Sequence, residues 1–281
     1  YITANGGSFT ACVPHLKANT AYTCRAYSGE DKGEEVEFTT GTAIELPNGS
    51  FDEWHKTGKV WNPWTESGTQ IWDSGNDGAT TLGESITIPT SDTWSGAPMG
   101  GQAAQLSSKF VGLGSVGKFA AGNLFTGSFK IVIPEVVKAT KFGVPFTHIP
   151  TSLKGYYKYK AGTEFTVDGK PVSDRKDICD IYGVFYETDD YVKTLDGTNI
   201  FTSPKIISIA RINNAKETDQ WTEFNIPFIT QPGKTVDLQK LDDGKYNLAI
   251  VFSSSIKGDL FEGAVGSTLY IDEVELSYTD N

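Results

Sequence analysis

Short runs in which hydrophobic and polar residues alternate recur along most of the chain, and this period of two predicts β-strands. The runs are rich in β-branched and aromatic residues and are bounded by Gly, Asp, Asn or Pro. They cover residues 128–137, 152–162, 178–187, 205–212, 221–228, 246–255 and 267–276. Helical periodicity is limited to residues 235–244, which predicts one or two helical turns. The expected fold class is all-β, and the number of strands predicts a jelly-roll β-sandwich with one convex and one concave face.

The N-terminal segment carries a different pattern. Two alternating runs, AYTCRAY and EEVEFTT, flank the turn sequence SGEDKG and predict a β-hairpin. Together with Leu16, Thr20 and Tyr22, the segment resembles the last strands of an immunoglobulin-like or fibronectin type III sandwich. Such a module takes about 100 residues. We therefore expect residues 1–42 to be the C-terminal part of one, and residues 43–281 to form the jelly-roll domain.

Composition and charge exclude several classes of protein. Thirty glycines and twelve prolines among 281 residues suit short strands joined by tight turns. The net charge of −11 repels phosphate backbones and anionic membranes, so nucleic acid is not expected as a partner. No apolar run reaches the about 20 residues that span a bilayer. No signal peptide opens the chain, so an exported protein would be represented here by a mature or trimmed form.

The three cysteines do not identify the redox compartment. Cys12 and Cys24 are close enough in sequence to pair across neighbouring strands, and two buried free thiols are the alternative. Cys179 has no obvious partner. The sequence has neither a Cys-x-x-Cys pair nor a Cys/His spacing of the zinc type, so a structural zinc is not expected.

Four of the six tryptophans fall close together in the sequence, beside acidic and amide side chains. Such a cluster either fills a core or forms a flat binding platform. Flat aromatic faces flanked by carboxylates and amides suit sugars, which offer apolar C–H faces rimmed by hydroxyls. Burial of any one of these tryptophans in the core is the alternative. The candidate sugar-binding residues of this segment are Trp54, Trp61, Trp64, Trp72, Asp73 and Asn76.

Two predicted strands carry tyrosines at alternate positions. In the strand at 178–187, Asp180, Tyr182 and Tyr186 share one parity, and an apolar set shares the other. If the apolar set faces the core, these three side chains share the opposite surface.

The strand at 152–162 has the same kind of alternation. Tyr157 and Tyr159 lie on one face, with Tyr156 and Lys158 on the other. We predict that Tyr157 and Tyr159 join the tyrosines of the strand at 178–187 in a sugar-binding platform, although one tyrosine face must belong to the core.

No local enzyme signature appears in the sequence, such as a nucleophile elbow or a metalloprotease helix. A glycoside hydrolase needs two carboxylates about 5.5 or 6.5–9.5 Å apart in one groove. Such partners can be distant in sequence, so the catalytic residues of a hydrolase on this chain are unknown at this level.

Four stretches of the chain are distinctive. They are NGSFDEWH at 48–55, FAAGNLFTGSF at 119–129, GVPFTHIPTSLKGYYKYKAG at 143–162 and VFSSSIKGDLFEGAVGSTLYIDEVELSY at 251–278. Through them the chain from Leu46 to Tyr278 resembles the putative carbohydrate metabolism domain (PCMD) family. The resemblance implies a jelly-roll domain of exported bacterial proteins, often placed after an immunoglobulin-like module, with a role in glycan handling. It brings no catalytic residues with it.

The two ends of this region also resemble those of jelly-roll carbohydrate-binding modules. The chain has NGSFDEW from Asn48 and YIDEVEL from Tyr270, where such modules have Asn-Gly-x-Phe-Glu…Trp and Tyr-Ile-Asp-Asp-Val-x-Leu. This second resemblance implies a structural calcium held by Asp52 and Asp272 with backbone carbonyls. Asp52 stands where those modules have Glu, which shortens its reach. A solvated or salt-bridged carboxylate pair is the alternative.

Together these features predict an exported carbohydrate-binding protein that stacks an oligosaccharide or polysaccharide on aromatic side chains. No cofactor is expected apart from the calcium. We expect a monomer located outside the cytoplasm, at the cell surface, in the periplasm or secreted. Two alternatives stay open: a glycoside hydrolase or lyase with a carboxylate pair in the concave groove, and a structural or adhesive module whose aromatic residues are all core.

Overall fold

The computed structural model describes residues 2–5, 8–11, 20–39, 43–113, 116–132 and 135–279. Within them the chain is mostly β-structure, which confirms the predicted fold class. The first part contains β1 (Ile2–Asn5), β2 (Ser8–Ala11), β3 (Ala21–Ser28), β4 (Asp31–Thr39), β5 (Ala43–Glu45), β6 (His55–Thr57), β7 (Val60–Asn62), β8 (Trp72–Asp73), helix α1 (Asn76–Thr80), β9 (Thr87–Thr90), β10 (Ala103–Ser107), β11 (Lys109–Leu113), β12 (Val116–Ala120) and β13 (Asn123–Phe129). The second part contains β14 (Thr140–Phe142), β15 (Val144–Pro145), β16 (Ile149–Lys160), β17 (Phe165–Val167), β18 (Lys170–Pro171), β19 (Asp180–Glu187), β20 (Ile206–Arg211), β21 (Thr218–Pro227), β22 (Ile229–Thr230), helix α2 (Leu238–Asp242), β23 (Tyr246–Ser253), β24 (Gly263–Ala264) and β25 (Thr268–Thr279), with 3-10 turns at Val136–Lys138 and Gly258–Leu260.

Two antiparallel sheets form the sandwich. Sheet A has six strands in the order β21-β16-β25-β10-β9, with β5 alongside β25. Sheet B has eight strands in the order β14-β13-β23-β19-β20-β22, with β15 against β23 and β8 against β13. This is the predicted jelly-roll β-sandwich, in which the short strand β5 pairs with the last strand, β25, in sheet A.

Alternate residues of the two sheets build the core between them. Leu153 of β16 and Ile271 of β25 enter it from sheet A, and Ile181 of β19 and Phe252 of β23 enter it from sheet B. All four are 0% exposed. Because successive side chains on a strand point to opposite faces, the period of two in the sequence places these residues inside.

A second apolar cluster covers the outer surface of sheet B. It contains Tyr182, Val184 and Tyr186 of β19 with Ala249 and Val251 of β23, and residues of β14 and of the β19–β20 loop complete it. Strands β19 and β23 are therefore buried on both faces. This burial explains why their sequences are almost continuously apolar.

Helical and irregular elements agree with the predictions only in part. Helix α2 is confirmed, and the Asp237 side chain caps it by accepting a hydrogen bond from the Lys240 N–H. Helix α1 was not predicted. The strand predicted at 128–137 is confirmed only up to Phe129, where β13 ends, and is wrong for residues 130–132 and 135–137. Neither helix of the described residues is long or apolar enough to cross a membrane.

The predicted N-terminal hairpin is confirmed as the antiparallel pair β3–β4. Tyr22 and Phe38 stack across it with ring centroids 6.0 Å apart. Cys24 is exposed in β3, whereas Cys12 and Leu16 lie outside the described residues, so the predicted pairing and corner pattern stay predictions. Strand β5 pairs with β25, and the division of the chain at residue 42 also stays a prediction.

Candidate functional site

The four tryptophans of the predicted cluster lie at different depths. Trp72 is 1% exposed and packs edge-on against Phe51, with ring centroids 5.1 Å apart. A fully buried ring cannot offer a face to a sugar, so the prediction for Trp72 is wrong. Trp54 is half-buried beside the same core and donates its indole N–H to the Phe51 carbonyl at 2.6 Å. Trp61 and Trp64 are half-buried at the β6–β7 hairpin and remain candidates.

The two polar candidates beside them are structural. Asn76 is 1% exposed, and its Nδ2 donates to the carbonyls of Trp61 and Thr87, both at 2.7 Å. Its Oδ1 accepts from the N–H groups of Ile86 and Thr87 at 2.9 and 3.0 Å. The whole hydrogen-bonding capacity of Asn76 is used, so its predicted sugar contact is wrong. Asp73 is half-buried, and burial raises its pKa to about 6.

The predicted parity of the tyrosines is confirmed, but the predicted platform is wrong. Tyr157 and Tyr159 are 6% and 2% exposed and face the core between the sheets. Tyr182 and Tyr186 do point to the outer surface of sheet B, yet the second apolar cluster covers them, and they are 6% and 0% exposed. Strand β14 and the β19–β20 loop supply that cover, and nothing in the pattern of β19 itself shows that they pack over it.

The other face of β16 carries aromatic side chains that reach solvent. Tyr156 stacks on Trp94, with ring centroids 3.9 Å apart and planes 12° from parallel. Lys158 lies between Trp221 of β21 and Tyr270 of β25, with its Nζ 5.2 and 4.9 Å from their ring centroids. All five side chains are half-buried. We call Trp94, Tyr156, Lys158, Trp221 and Tyr270 the aromatic face.

Carboxylates surround the aromatic face. Asp92 forms an ion pair with Lys158 and accepts a hydrogen bond from the Trp221 indole N–H at 3.3 Å. Glu223 and Glu275 are exposed, and after burial they contribute to raising the pKa of Tyr156. Half-buried rings rimmed by hydrogen-bond acceptors can stack on the C–H face of a sugar while the acceptors receive its hydroxyls.

A cavity of about 570 Å³ lies on the outer surface of sheet B. Tyr182 and Val251 of the sheet line it, together with residues of β12, of α1 and of the segments around residues 129–140 and 197–201. We call it the outer-face cavity. Its lining is largely aromatic and aliphatic, with two carboxylates, Asp180 and Asp259, among the polar residues.

The two carboxylates of the outer-face cavity differ in environment. Asp180 is 3% exposed, and its Oδ1 and Oδ2 accept hydrogen bonds from Arg211 Nε and Nη2 at 3.0 and 2.6 Å. Burial raises the pKa of Asp180, and the two hydrogen bonds from Arg211 work against that rise. Asp259 is exposed. The Arg211 guanidinium also lies 4.2 Å from the Phe201 ring centroid.

Asp52 and Asp272, the predicted calcium ligands, lie within electrostatic reach of each other. Asp272 is 0% exposed, and its oxygens accept from the N–H groups of Trp94 and Glu273 at 2.7 and 2.9 Å. Burial above all, with smaller contributions from the charges of Glu273 and then Asp52, raises the pKa of Asp272 to about 7. Asp52 accepts a hydrogen bond from the Gln102 N–H at 2.6 Å.

The chemistry of this pair suits calcium only with help from other oxygens. The Gln102 Oε1 is buried and accepts no hydrogen bond from the described residues, and the backbone N–H of the same residue binds Asp52. Calcium takes six to eight oxygen ligands. In the described part of the chain, no three acidic, histidine or cysteine side chains form a metal-binding group. Asp52, Asp272 and Gln102 would therefore hold the ion together with backbone carbonyls, and the ion would link the two ends of the domain.

Comparison with protein families identifies the family of this chain. A family model described as "Putative carbohydrate metabolism domain" matches residues 50–277. The chain belongs to this family. No curated protein matches it.

Two solved structures are similar to this PCMD protein over most of its length. One is a putative glycoside hydrolase from Bacteroides thetaiotaomicron VPI-5482, with 44% identity and a TM-score of 0.76 over 93% of this chain and 79% of that chain. The other is a putative glycoside hydrolase from Bacteroides vulgatus ATCC 8482, with 34% identity and a TM-score of 0.68 over 85% of this chain and 95% of that chain.

Sequence reasoning missed the residues of the aromatic face, although part of the signal was present in the PCMD sequence. Tyr270 alternates with Leu269 and Ile271, which are both core residues, so its outward direction follows from parity. Trp94 and Trp221 are the two tryptophans outside the sequence cluster. Nothing local places these two tryptophans together, because β9 and β21 are at opposite edges of sheet A. The segment after β9 lies across the outer face of the sheet, where Trp94 stacks on Tyr156 and Asp92 contacts Trp221.

Proposed function

We propose that this PCMD protein is an exported carbohydrate-binding protein that holds an oligosaccharide or polysaccharide on the aromatic face of sheet A. The observation that carries the proposal is the set of four solvent-reaching rings around Lys158, edged by Asp92, Glu223 and Glu275. Membership of a carbohydrate metabolism family supports it. The extracytoplasmic location and the monomeric state are parts of the same proposal.

The side chains of the aromatic face are already ordered for binding a sugar. Its aromatic rings are held by neighbours, Tyr156 by Trp94 and Trp221 by its hydrogen bond to Asp92. Rings fixed before binding lose little side-chain entropy when a ligand stacks on them. The ion pair between Lys158 and Asp92 offers both a donor and an acceptor to hydroxyl groups beside the rings.

We expect Trp221→Ala to weaken glycan binding at least about tenfold, because central aromatic residues dominate binding energy. The test is a glycan-array screen of the full chain, followed by titration of the best ligand. The matched control is Trp61→Ala, since Trp61 is also half-buried with a lysine Nζ 5.2 Å from its ring centroid. Loss of binding in Trp61→Ala alone would move the site to the β6–β7 hairpin and refute the proposal.

Glycoside hydrolysis is the second candidate function. It is favoured by the similarity to two proteins named putative glycoside hydrolases and by the presence of Asp180 and Asp259 in one cavity. A catalytic pair needs one carboxylate free to donate a proton and one free to attack or to activate water. Both oxygens of Asp180 already accept hydrogen bonds from Arg211, which favours the binding function. Release of reducing sugar from a bound glycan, lost in Asp259→Asn, would support the hydrolase instead.

A further inference from the structure

The outer-face cavity is separate from the aromatic face, and its size suits a small-molecule ligand. At about 570 Å³ it falls within the range of small-molecule sites. Seven aromatic rings line it, those of Phe119, Phe125, Phe129, Phe142, Tyr182, Phe201 and Phe261. Burial of an apolar group against such a surface is favourable in proportion to the area removed from water.

Most polar groups of the lining are already paired with other parts of the protein. Asp180 accepts two hydrogen bonds from Arg211. The Asn123 amide accepts from the Gly75 N–H at 2.7 Å and donates to the Ala121 carbonyl at 3.3 Å. A bare sugar would bury hydroxyls here without partners, at a cost for each group left unpaired. The interior of the cavity therefore suits an apolar body.

The opening of the cavity has a different character. Leu82, Ile131 and Phe201 line the cavity and are 49%, 44% and 37% exposed. Lys118 and Asp259, also exposed, contribute one positive and one negative charge to the same lining. Charges of opposite sign cancel at a distance but offer a donor and an acceptor to an adjacent group. Such an opening suits an uncharged head that carries hydroxyls.

We propose that the outer-face cavity binds an uncharged amphiphile. Its alkyl or aryl body occupies the space between the aromatic rings, and its hydroxyl-bearing head contacts Lys118 and Asp259. Alkyl and aryl glycosides belong to this chemical class. The site lies on sheet B and is independent of the aromatic face on sheet A.

The test is a titration calorimetry series with methyl, butyl, hexyl and octyl β-D-glucoside, each below its micelle concentration. Affinity should rise about fourfold per added methylene until the cavity is filled, because each buried methylene adds a fixed hydrophobic gain. Methyl glucoside is the control that carries the head without the body. Equal affinities across the series would overturn the proposal.

Two variants locate the binding. Leu82→Ser should weaken octyl glucoside binding at least about threefold, whereas Leu238→Ser should leave it unchanged. Leu238 is 52% exposed and does not line the cavity, so the two substitutions are matched in chemistry and exposure. Equal effects of both would refute binding in the cavity.

Two further measurements separate this site from its alternatives. Trp221→Ala should leave octyl glucoside binding intact, so a failure of the sugar-binding face and a failure of this cavity can be told apart. Sedimentation velocity measures self-association of the same samples. A concentration-dependent dimer that Leu82→Ser abolishes, with no binding of octyl glucoside, would mean that a second copy covers the cavity and would overturn the proposal.

Discussion

Single polar and aromatic residues between Trp54 and Asp77 have roles that residue type alone does not reveal. Asn76 joins two backbone segments, at Trp61 and at residues 86–87, through four hydrogen bonds, and Trp72 fills the core beside Phe51. Both residue types are common in sugar sites, and both are equally suited to satisfying a buried backbone or filling a core. Asp73 also has a structural contact, since its carboxylate accepts a hydrogen bond from the Phe129 N–H at 2.7 Å. Unlike Asn76 and Trp72, it is only half-buried.

Asp73 should make stability depend on pH. Burial raises its pKa from 3.8 to about 6 in the folded protein, so between these values the folded state holds a proton that the unfolded state has released. The free energy of unfolding should therefore fall as pH rises through this window, by up to about 1.4 kcal/mol per pH unit. Urea unfolding at pH 4.5, 5.5 and 6.5 should show a shallower fall in Asp73→Asn than in the natural sequence.

Asp77→Asn is the control for this measurement. The charge of Asp77 has the smallest of the effects on the pKa of Asp73. Unfolding free energy in Asp77→Asn should therefore fall with pH almost as steeply as in the natural sequence, and more steeply than in Asp73→Asn. Parallel pH profiles for Asp73→Asn and the unsubstituted protein would show that Asp73 titrates as it does in the unfolded chain.

At the scale of elements, β19 is a strand whose outer face, carrying Tyr182 and Tyr186, is covered by other parts of the chain. Tyr186 donates its hydroxyl to the Phe142 carbonyl at 2.6 Å and accepts from the Leu195 N–H and the Asn247 Nδ2 at 3.3 and 3.2 Å. One side chain thereby links β19 to β14, the edge strand of sheet B, and holds the β19–β20 loop against the sheet. The alternation in β16 is used differently, since its outer face carries Tyr156 and reaches solvent.

Tyr186→Phe should lower the free energy of unfolding by about 1–3 kcal/mol, because it leaves buried partners without the hydroxyl. Urea denaturation measures the change. Tyr182→Phe is the matched control on the same strand and face, since among the described residues no hydrogen bond to its hydroxyl is found. Equal losses in the two variants would contradict the role assigned to the Tyr186 hydroxyl.

At the scale of the whole molecule, the outer surfaces of the two sheets differ. Sheet B is covered on its outer surface by a second apolar cluster and holds the outer-face cavity, whereas sheet A leaves the aromatic face open. The two ends of the domain meet in sheet A, where β5 pairs with β25 and where Asp52 and Asp272 lie close together. A calcium ion at this pair would therefore act on the stability of the entire domain.

We propose that calcium binds there and expect it to raise the melting temperature. A ligand at a hundredfold excess over its Kd stabilises the folded state by about 2.7 kcal/mol, which corresponds to roughly 5–10 °C for a chain of this size. Differential scanning calorimetry with CaCl2, with MgCl2 and with chelator measures the shift. The gain should vanish in Asp272→Asn and persist in Glu275→Gln, an exposed carboxylate on the same strand. An equal melting temperature with calcium and with chelator would exclude the ion.

The sequence by itself determined the all-β class, most strands of the sandwich, helix α2, the N-terminal hairpin and the parity of β16 and β19. These features depend on local period and turn chemistry, which are written in neighbouring residues. Only the tertiary structure decided which face of β16 is core, that Tyr182 and Tyr186 are covered, and that Trp94 and Trp221 share a surface. Parity fixes which side chains lie together on one face of a strand. What covers that face depends on how other segments, near or far in sequence, fold over it, and no pattern within the strand encodes their position.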